Sequence, residues 1–426
     1  MIHAVMTYAR LWLAFLTLVL AVFNLEAIAQ QDDDASLSEQ QQNIPTAEIT
    51  PLWESHFETQ FEGLPTVDGD HLYIGGMDGV LRKLDRLTGE VVWQKNVGAA
   101  IGSTVTVDRE MIYFASWDGA MHARWKDSGD LVWVFKTEGE KQWDTWDHRL
   151  STPTVDHERV YFGSGDHHIY GLNKRNGDLR WKYKTGGIIH SQPALDGEKV
   201  IVGSFDGYLY ALDRANGQQV WAFKTVGNSY FRNGAISSSP LVHDGVVYFG
   251  SRDYNIYAVL SATGTGAWNY RTPSWVVAQP LIFDKTLYVT NSTDARLMAV
   301  NIETGYETWH SLLNINSYGR SVAVGEHFVA SAAQDGRVYL IKRDGSGQAA
   351  FYDTPSAREN RDAYFDGDKW RDVEYQSFRH YEQHHHSFLK EVGAINAGLV
   401  AHEGVIYLAN SGGDIVALEV KERSSN

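Results

Sequence analysis

The 426-residue chain contains no cysteine, which excludes disulfide cross-links and the acylated cysteine that anchors a bacterial lipoprotein. Basic clusters are missing too: 37 Lys and Arg are scattered among 53 Asp and Glu, for a formal net charge of -16. With no electrostatic footprint for nucleic acid, that class of partner is excluded. Beyond the N-terminus no apolar run approaches the about 20 residues of a membrane-spanning helix. No spacing identifies a Ser-His-Asp arrangement, a glycine-rich phosphate loop or a paired-carboxylate motif.

At the N-terminus, His3 and Arg10 precede an apolar run over 11–23, and Ala27-Ile28-Ala29 follows as a small-x-small pattern. That order is the layout of a signal peptide, so residues 1–29 are expected to be removed and the mature chain to be periplasmic or secreted. Residues 30–48, with three consecutive Asp and three consecutive Gln, are too poor in apolar side chains to offset their ordering entropy. They are expected to form a disordered, solubilising leader.

From Trp53 onward the chain repeats. An Asp, a Gly eleven positions later and a Trp four positions after that recur as Asp78/Gly89/Trp93, Asp118/Gly129/Trp133, Asp166/Gly177/Trp181, Asp206/Gly217/Trp221, Asp253/Gly264/Trp268 and Asp294/Gly305/Trp309. A seventh copy through Asp335 and Gly345 lacks the Trp, and an eighth at Gly413-Asp414 stops before it. From Asp78 to Asp335 the steps between successive Asp residues are 40 to 48 residues, the period of a propeller blade; the last, Asp335 to Asp414, is nearly twice as long. Within one repeat, 200–204 alternates toward Asp206-Gly207, a two-residue hairpin turn, and 208–212 returns. Asn216-Gly217 turns again into an outer strand carrying Trp221, whose indole is large enough to fill the wedge between blades.

Trp53 lies 25 residues before Asp78, the same interval that separates Trp93 from Asp118. It therefore supplies the outer strand missing from the eighth repeat, and pairing of 52–58 with 415–420 closes the ring without leaving a sheet edge between first and last blades. The fold class that follows is all-β: an eight-bladed β-propeller with four-stranded blades over 50–421, closed by its N- and C-terminal strands.

Segments such as Val202-Gly-Ser-Phe-Asp-Gly-Tyr-Leu-Tyr-Ala-Leu-Asp213, followed by Asn216-Gly217 and Trp221, resemble the pyrroloquinoline-quinone (PQQ) type repeat. Quinoprotein alcohol dehydrogenases and BamB, a scaffold lipoprotein of outer-membrane β-barrel assembly, share it. The resemblance covers nearly all of 53–420 and speaks to scaffold, because function sits in what does not repeat.

The lead-in loop before each innermost strand lies on the face of the Asp-Gly hairpins, next to the central channel. These loops carry Trp146-Asp147-His148-Arg149, His190-Ser191-Gln192, Phe231-Arg232-Asn233, Trp275, Tyr318-Gly319-Arg320 and Asn396. Residues 354–393, an insertion in one such loop, are expected to cap or wall the channel mouth. Three chemistries fit this set. Arg149, Arg232 and Arg320 would hold an anion, with Trp275 or Phe231 as a stacking floor; PQQ, with its three carboxylates, is one such anion. The resemblance to quinoprotein dehydrogenases would imply an adjacent cysteine pair, which is absent, and calcium ligands, of which Asn233 alone is suggestive. Alternatively, His380, His384, His385 and His386, with His148 and His190, offer imidazoles for a divalent metal such as zinc or copper, and His384 and His386 are the candidate ligands. His167-His168 occupy a hairpin tip and are expected to be an exposed turn. The third possibility is a scaffold without chemistry. The reading adopted is a capped channel face that binds a protein partner or a small anionic ligand at His148, Arg149, His190, Arg232, Asn233, Trp275 and Arg320. A PQQ- or metal-dependent oxidoreductase is the alternative.

Overall fold

The computed structural model describes residues 46–144, 147–229, 232–371 and 378–423; the expected signal peptide, residues 1–29, and nearly all of the expected leader fall outside the described residues. Seven four-stranded antiparallel sheets follow one another along the chain, each formed by four consecutive strands. We number these blades 1 to 7: 66–96, 106–136, 154–184, 194–224, 241–271, 281–312 and 322–353. Blade 8 takes three strands from 400–423 and its fourth from Thr46–His56, which pairs with Asp414–Arg423. The expected closure is present, and Phe57 N–H donates to the Gly413 carbonyl (2.9 Å) just beyond the closing strand.

Burial within a blade explains its sequence pattern. The second and third strands are sandwiched by neighbouring blades and read as continuous apolar runs, as in Arg159–Gly163 and His168–Asn173. The outer strand Leu179–Lys184 has one face in the seam and one in solvent, so it alternates. The short first strands contact one another around the channel.

The repeated Trp and Gly meet across the seams. Trp181 Nε1 donates to the Arg214 carbonyl of the next blade (3.0 Å), and Trp133, Trp221, Trp268 and Trp309 make equivalent bonds to Lys174, Ser261, Ile302 and Arg343. Gly217 adopts φ +75, and a Cβ there would meet the Trp181 ring at 2.6 Å. Glycine is thus required twice, by backbone geometry and by the indole lying on it. Trp53 plays this part between blades 8 and 1, donating to the Arg86 carbonyl (2.9 Å) and covering Gly89. Between blades 7 and 8, where the Trp is lost, Tyr352 Oη and the Arg358 guanidinium both reach Glu54 of the closing strand (2.5 to 2.9 Å).

The insertion folds mainly as two helices, α1 (Pro355–Tyr364) and α2 (Phe378–Val392), around a buried cluster that includes Phe365, Phe388 and Val392. Thr354 caps α1 by accepting from Ala357 N–H, and Pro355 begins the helix. The pair is bolted to blades 7 and 8. Ser356 N–H donates to Asp414 (2.9 Å), Ser411 Oγ donates to the Leu389 carbonyl (2.5 Å), and Gly336 lies against Val392 and Ala357.

Candidate functional site

The lead-in loops share a local frame: in blades 3 to 5 a small residue and then a proline precede the innermost strand, as in Leu150-Ser-Thr-Pro153, His190-Ser-Gln-Pro193 and Ser237-Ser-Ser-Pro240. The serine is the anchor. Ser191 Oγ donates to the Gly203 carbonyl (2.8 Å) and accepts from Gly203 N–H (3.0 Å), which ties the loop to its own blade. The residue before the serine is thereby aimed at the channel axis. Four positions ahead of the eight innermost strands stand Glu62, Gly102, Leu150, His190, Ser237, Val277, Tyr318 and Asn396. The last six line one pocket at the channel mouth, together with His148, Arg149, Arg252 and Trp275. Its cavity volume is about 70 Å³.

One side of the pocket is a charged lattice. His190, buried, donates from Nδ1 to Asp147 (2.8 Å) and from Nε2 to Glu140 (3.3 Å). Burial alone would lower its pKa, but the two carboxylates outweigh it and push the imidazole up to about 9. Asp147 also accepts from Trp143 N–H (2.9 Å), and Glu140 from Gly165 N–H (2.7 Å). Both ring nitrogens of His190 are therefore committed to holding the long lead-in loop of blade 3, and neither is open to a metal. Arg252 pairs with Asp144 across the mouth, its guanidinium 5.1 Å from the Phe205 ring centroid and 5.2 Å from that of Trp275.

The surroundings of Arg149 are less saturated. Glu62 is buried and accepts from Asn396 Nδ2 (3.4 Å); burial raises its pKa to about 7, against the pull of Asn396 and Arg149. The Arg149 guanidinium, destabilised by burial and favoured by Glu62 and Asp147, has its pKa lowered. Burial holds His148 down at about 4, Asp147 opposing and His386 reinforcing, and its Nε2 is buried without a hydrogen-bond partner among the described residues.

The sequence-predicted residues are thus only partly brought together. His148, Arg149, His190 and Trp275 line the pocket. Arg320 lies apart from it, in a channel cavity of about 390 Å³ walled by the first strands of blades 5 to 8. Arg232 and Asn233 are exposed outside the pocket; what Asn233 contributes is its carbonyl, which accepts from Lys224 Nζ (2.7 Å). Trp146, Phe231 and the side chain of His380 lie outside the described residues. His384 packs against Tyr364 and Trp370 (5.4 and 6.1 Å between ring centroids), whereas His386 is exposed; two residues apart on a helix, they do not face one site. His385 is close enough to His148 and His386 for their charges to help hold it at about 4, after burial. Among the described residues no three His, Cys, Asp or Glu side chains are grouped to hold a metal ion. His167-His168 is a turn, as expected, with His167 at φ +74, but His168 is buried and bonded to Asp166 rather than exposed. Nor does the mouth pocket bring together the donors expected for PQQ: Arg149 lines it, whereas Arg232, Asn233 and Arg320 do not.

Glu62, Glu140 and Arg252 were not among the candidates. Glu140 lies in the long loop before Trp146, away from the pattern. Glu62 and Arg252 carry signals once the frame is written out. Glu62 holds the ring position of blade 1, and Arg252 precedes a repeat Asp, where its counterparts Trp117, Phe205 and Gln334 also reach the mouth.

Comparison with known proteins agrees with the architecture. The model of the family described as outer membrane protein assembly factor BamB matches residues 50–145, 143–259 and 206–425. The crystal structure of BamB from Moraxella catarrhalis superposes with a TM-score of 0.67 at 18% identity, over 89% of this chain and 100% of that one. The computationally designed Ika8 protein superposes with a TM-score of 0.64 at 15% identity, over 85% and 97%. At these identities both likenesses concern the fold. No curated protein matches the sequence.

Proposed function

From the premise that this chain belongs to the BamB family of PQQ-like repeat propellers, we propose that it is an exported scaffold of the cell envelope. It holds a protein partner on its mouth face and serves outer-membrane protein assembly. The observation that carries this reading is Trp143. Its indole is 50% exposed on the mouth rim, yet it is backed by the Phe205 ring (5.6 Å) and its backbone is pinned by Asp147. A large aromatic group held rigid while still wet is the usual anchor of a protein interface, because it loses little conformational entropy on binding. Tyr208 and Val226, on the same face of blade 4 and the loop that follows it, are also exposed. Export rests on the pattern of residues 1–29 and the family. Among the described residues no helix is long and apolar enough to cross a membrane.

The oxidoreductase alternative is less well supported. The cysteine pair implied by the quinoprotein resemblance is absent, the three arginines expected to hold PQQ are not brought together, and His190 is committed to Asp147 and Glu140. The test is a photo-cross-linking side chain placed at position 143 and, separately, at Tyr306, which is exposed on the opposite face. Adducts with outer-membrane assembly components from position 143 alone are expected. Equal adducts from both positions, or none from 143, would remove the mouth face as the docking surface.

A further inference from the structure

Behind the rim, the mouth pocket has chemistry that protein docking does not use. Its cationic side chains are unequally matched. Arg252 is paired with Asp144 and stacked on rings. Arg149 makes no hydrogen bond or ion pair among the described residues, although it is partly buried and feels Glu62 and Asp147 at longer range. The two carboxylates that could neutralise it are compromised. Asp147 is occupied by His190, and Glu62, held near 7, is substantially protonated at neutral pH.

Other polar atoms of the pocket also lack partners. Ser237 Oγ, His148 Nε2 and Arg252 Nε are buried without a hydrogen bond among the described residues. Groups of this kind are costly to leave unmet, and their coincidence around one cavity marks a place where something else supplies the missing atoms. A donor fork, a hydroxyl and an aromatic wall at Trp275 are complementary to a carboxylate carried on a short, partly apolar body. The cavity sets the size: about 70 Å³ accommodates roughly five water-sized groups at about 15 Å³ each.

We infer that this pocket is a binding site for a small free monocarboxylic acid, of the size of acetate or lactate, whose carboxylate is taken by Arg149 beside Ser237. The site is independent of which protein docks on the rim. It differs from the anion site expected from Arg149, Arg232 and Arg320 together, since the structure leaves only Arg149 of those three in the pocket.

The test titrates the full chain with acetate, lactate and their neutral amides, acetamide and lactamide, by isothermal calorimetry and by the shift in melting midpoint. Saturable binding of at least one acid and of neither amide is expected. Arg149→Gln should weaken binding about tenfold or more, and Arg149→Lys less, because a lysine keeps the charge and loses the fork. If Arg149→Gln does not fold, the contrast between acid and amide still decides, with Ser237→Ala as the second variant. No saturation by either acid, equal binding of the amides, or undiminished binding to a folded Arg149→Gln variant would overturn the proposal. A short peptide with a free C-terminus that binds where acetate and lactate do not would overturn it in favour of a chain end.

Discussion

The lead-in loops of blades 3 and 4 sit side by side in the ring and do different work. That of blade 4 is short and regular: Ile189 N–H donates to the Ser164 carbonyl and Phe205 N–H to the Ile188 carbonyl, the pattern repeated by Ile236 and Arg252 in blade 5. That of blade 3 follows a step of 48 residues from Asp118 to Asp166, against 40 from Asp166 to Asp206, and makes neither bond. There Gly165 N–H is taken by the Glu140 carboxylate instead. The freed segment brings Asp144, Asp147, His148 and Arg149 to the mouth, held by side-chain bonds of Asp147 to His190 and of Asp144 to Arg252. Where the backbone ladder is intact the loop is regular; where side chains replace it, the charged residues of the mouth pocket gather.

The largest effect is expected from the scaffold itself: removing residues 46–56 strips blade 8 of its fourth strand and opens the ring, so cooperative unfolding followed by circular dichroism should be lost. Retained stability would show that the closing strand is dispensable. At a single seam, Trp181→Ala should cost about 3–5 kcal/mol in chemical denaturation, the usual range for deleting a buried indole.

His190→Gln tests the lattice of the long loop. It leaves Asp147 and Glu140 without their cation, a loss of about 3–5 kcal/mol at neutral pH if the triad is fully buried. The accompanying pH signature has a definite sign. Held at about 9 when folded, against an ordinary 6.5, His190 contributes stability that is complete below about pH 6.5 and is lost as pH rises through 9. The melting midpoint of the parent should therefore fall across that window, and this component of the slope should vanish in His190→Gln. An identical slope in the variant would assign the titration elsewhere.

A smaller effect separates backbone strain from packing at two turn glycines of blade 4. Gly197 has φ +54 and open space around it, whereas Gly217 has φ +75 with Trp181 on top. Alanine at 197 should cost about 1–2 kcal/mol from backbone strain alone, and at 217 more, because the indole must also move. Least of all is expected from Arg232→Ala, an exposed change within about 0.5 kcal/mol, with no effect on acetate or lactate binding. A clear loss of binding would return Arg232 to the site.

How much of the site was legible follows from how each residue reaches it. His148, Arg149, His190 and Trp275 were found because polar and aromatic residues in a lead-in loop point to the channel once the blade count is known. Arg232 and Asn233 met the same criterion, but their loop carries extra residues and leaves them in solvent. Loop length decides whether a side chain follows the ring register, and composition does not report it. Glu62 was readable from its position four residues before Thr66, since the small-residue-and-proline frame of later blades recurs in blade 1 as Gly63-Leu64-Pro65.

What the sequence alone determined is the propeller, its eight blades and its closure. Those depend on contacts between residues at fixed spacing, Trp on the next Gly, first strand on last, and a period survives in one dimension. Only the tertiary structure decided which charges are spent and which remain. That Glu140 and Asp147 saturate His190, that Asp144 crosses the mouth to Arg252, and that Arg149 is left beside a Glu62 raised to about 7 all depend on burial and distance. Loops from different blades meet without any period to announce them, and the electrostatic balance of a buried group is set by all of its neighbours at once.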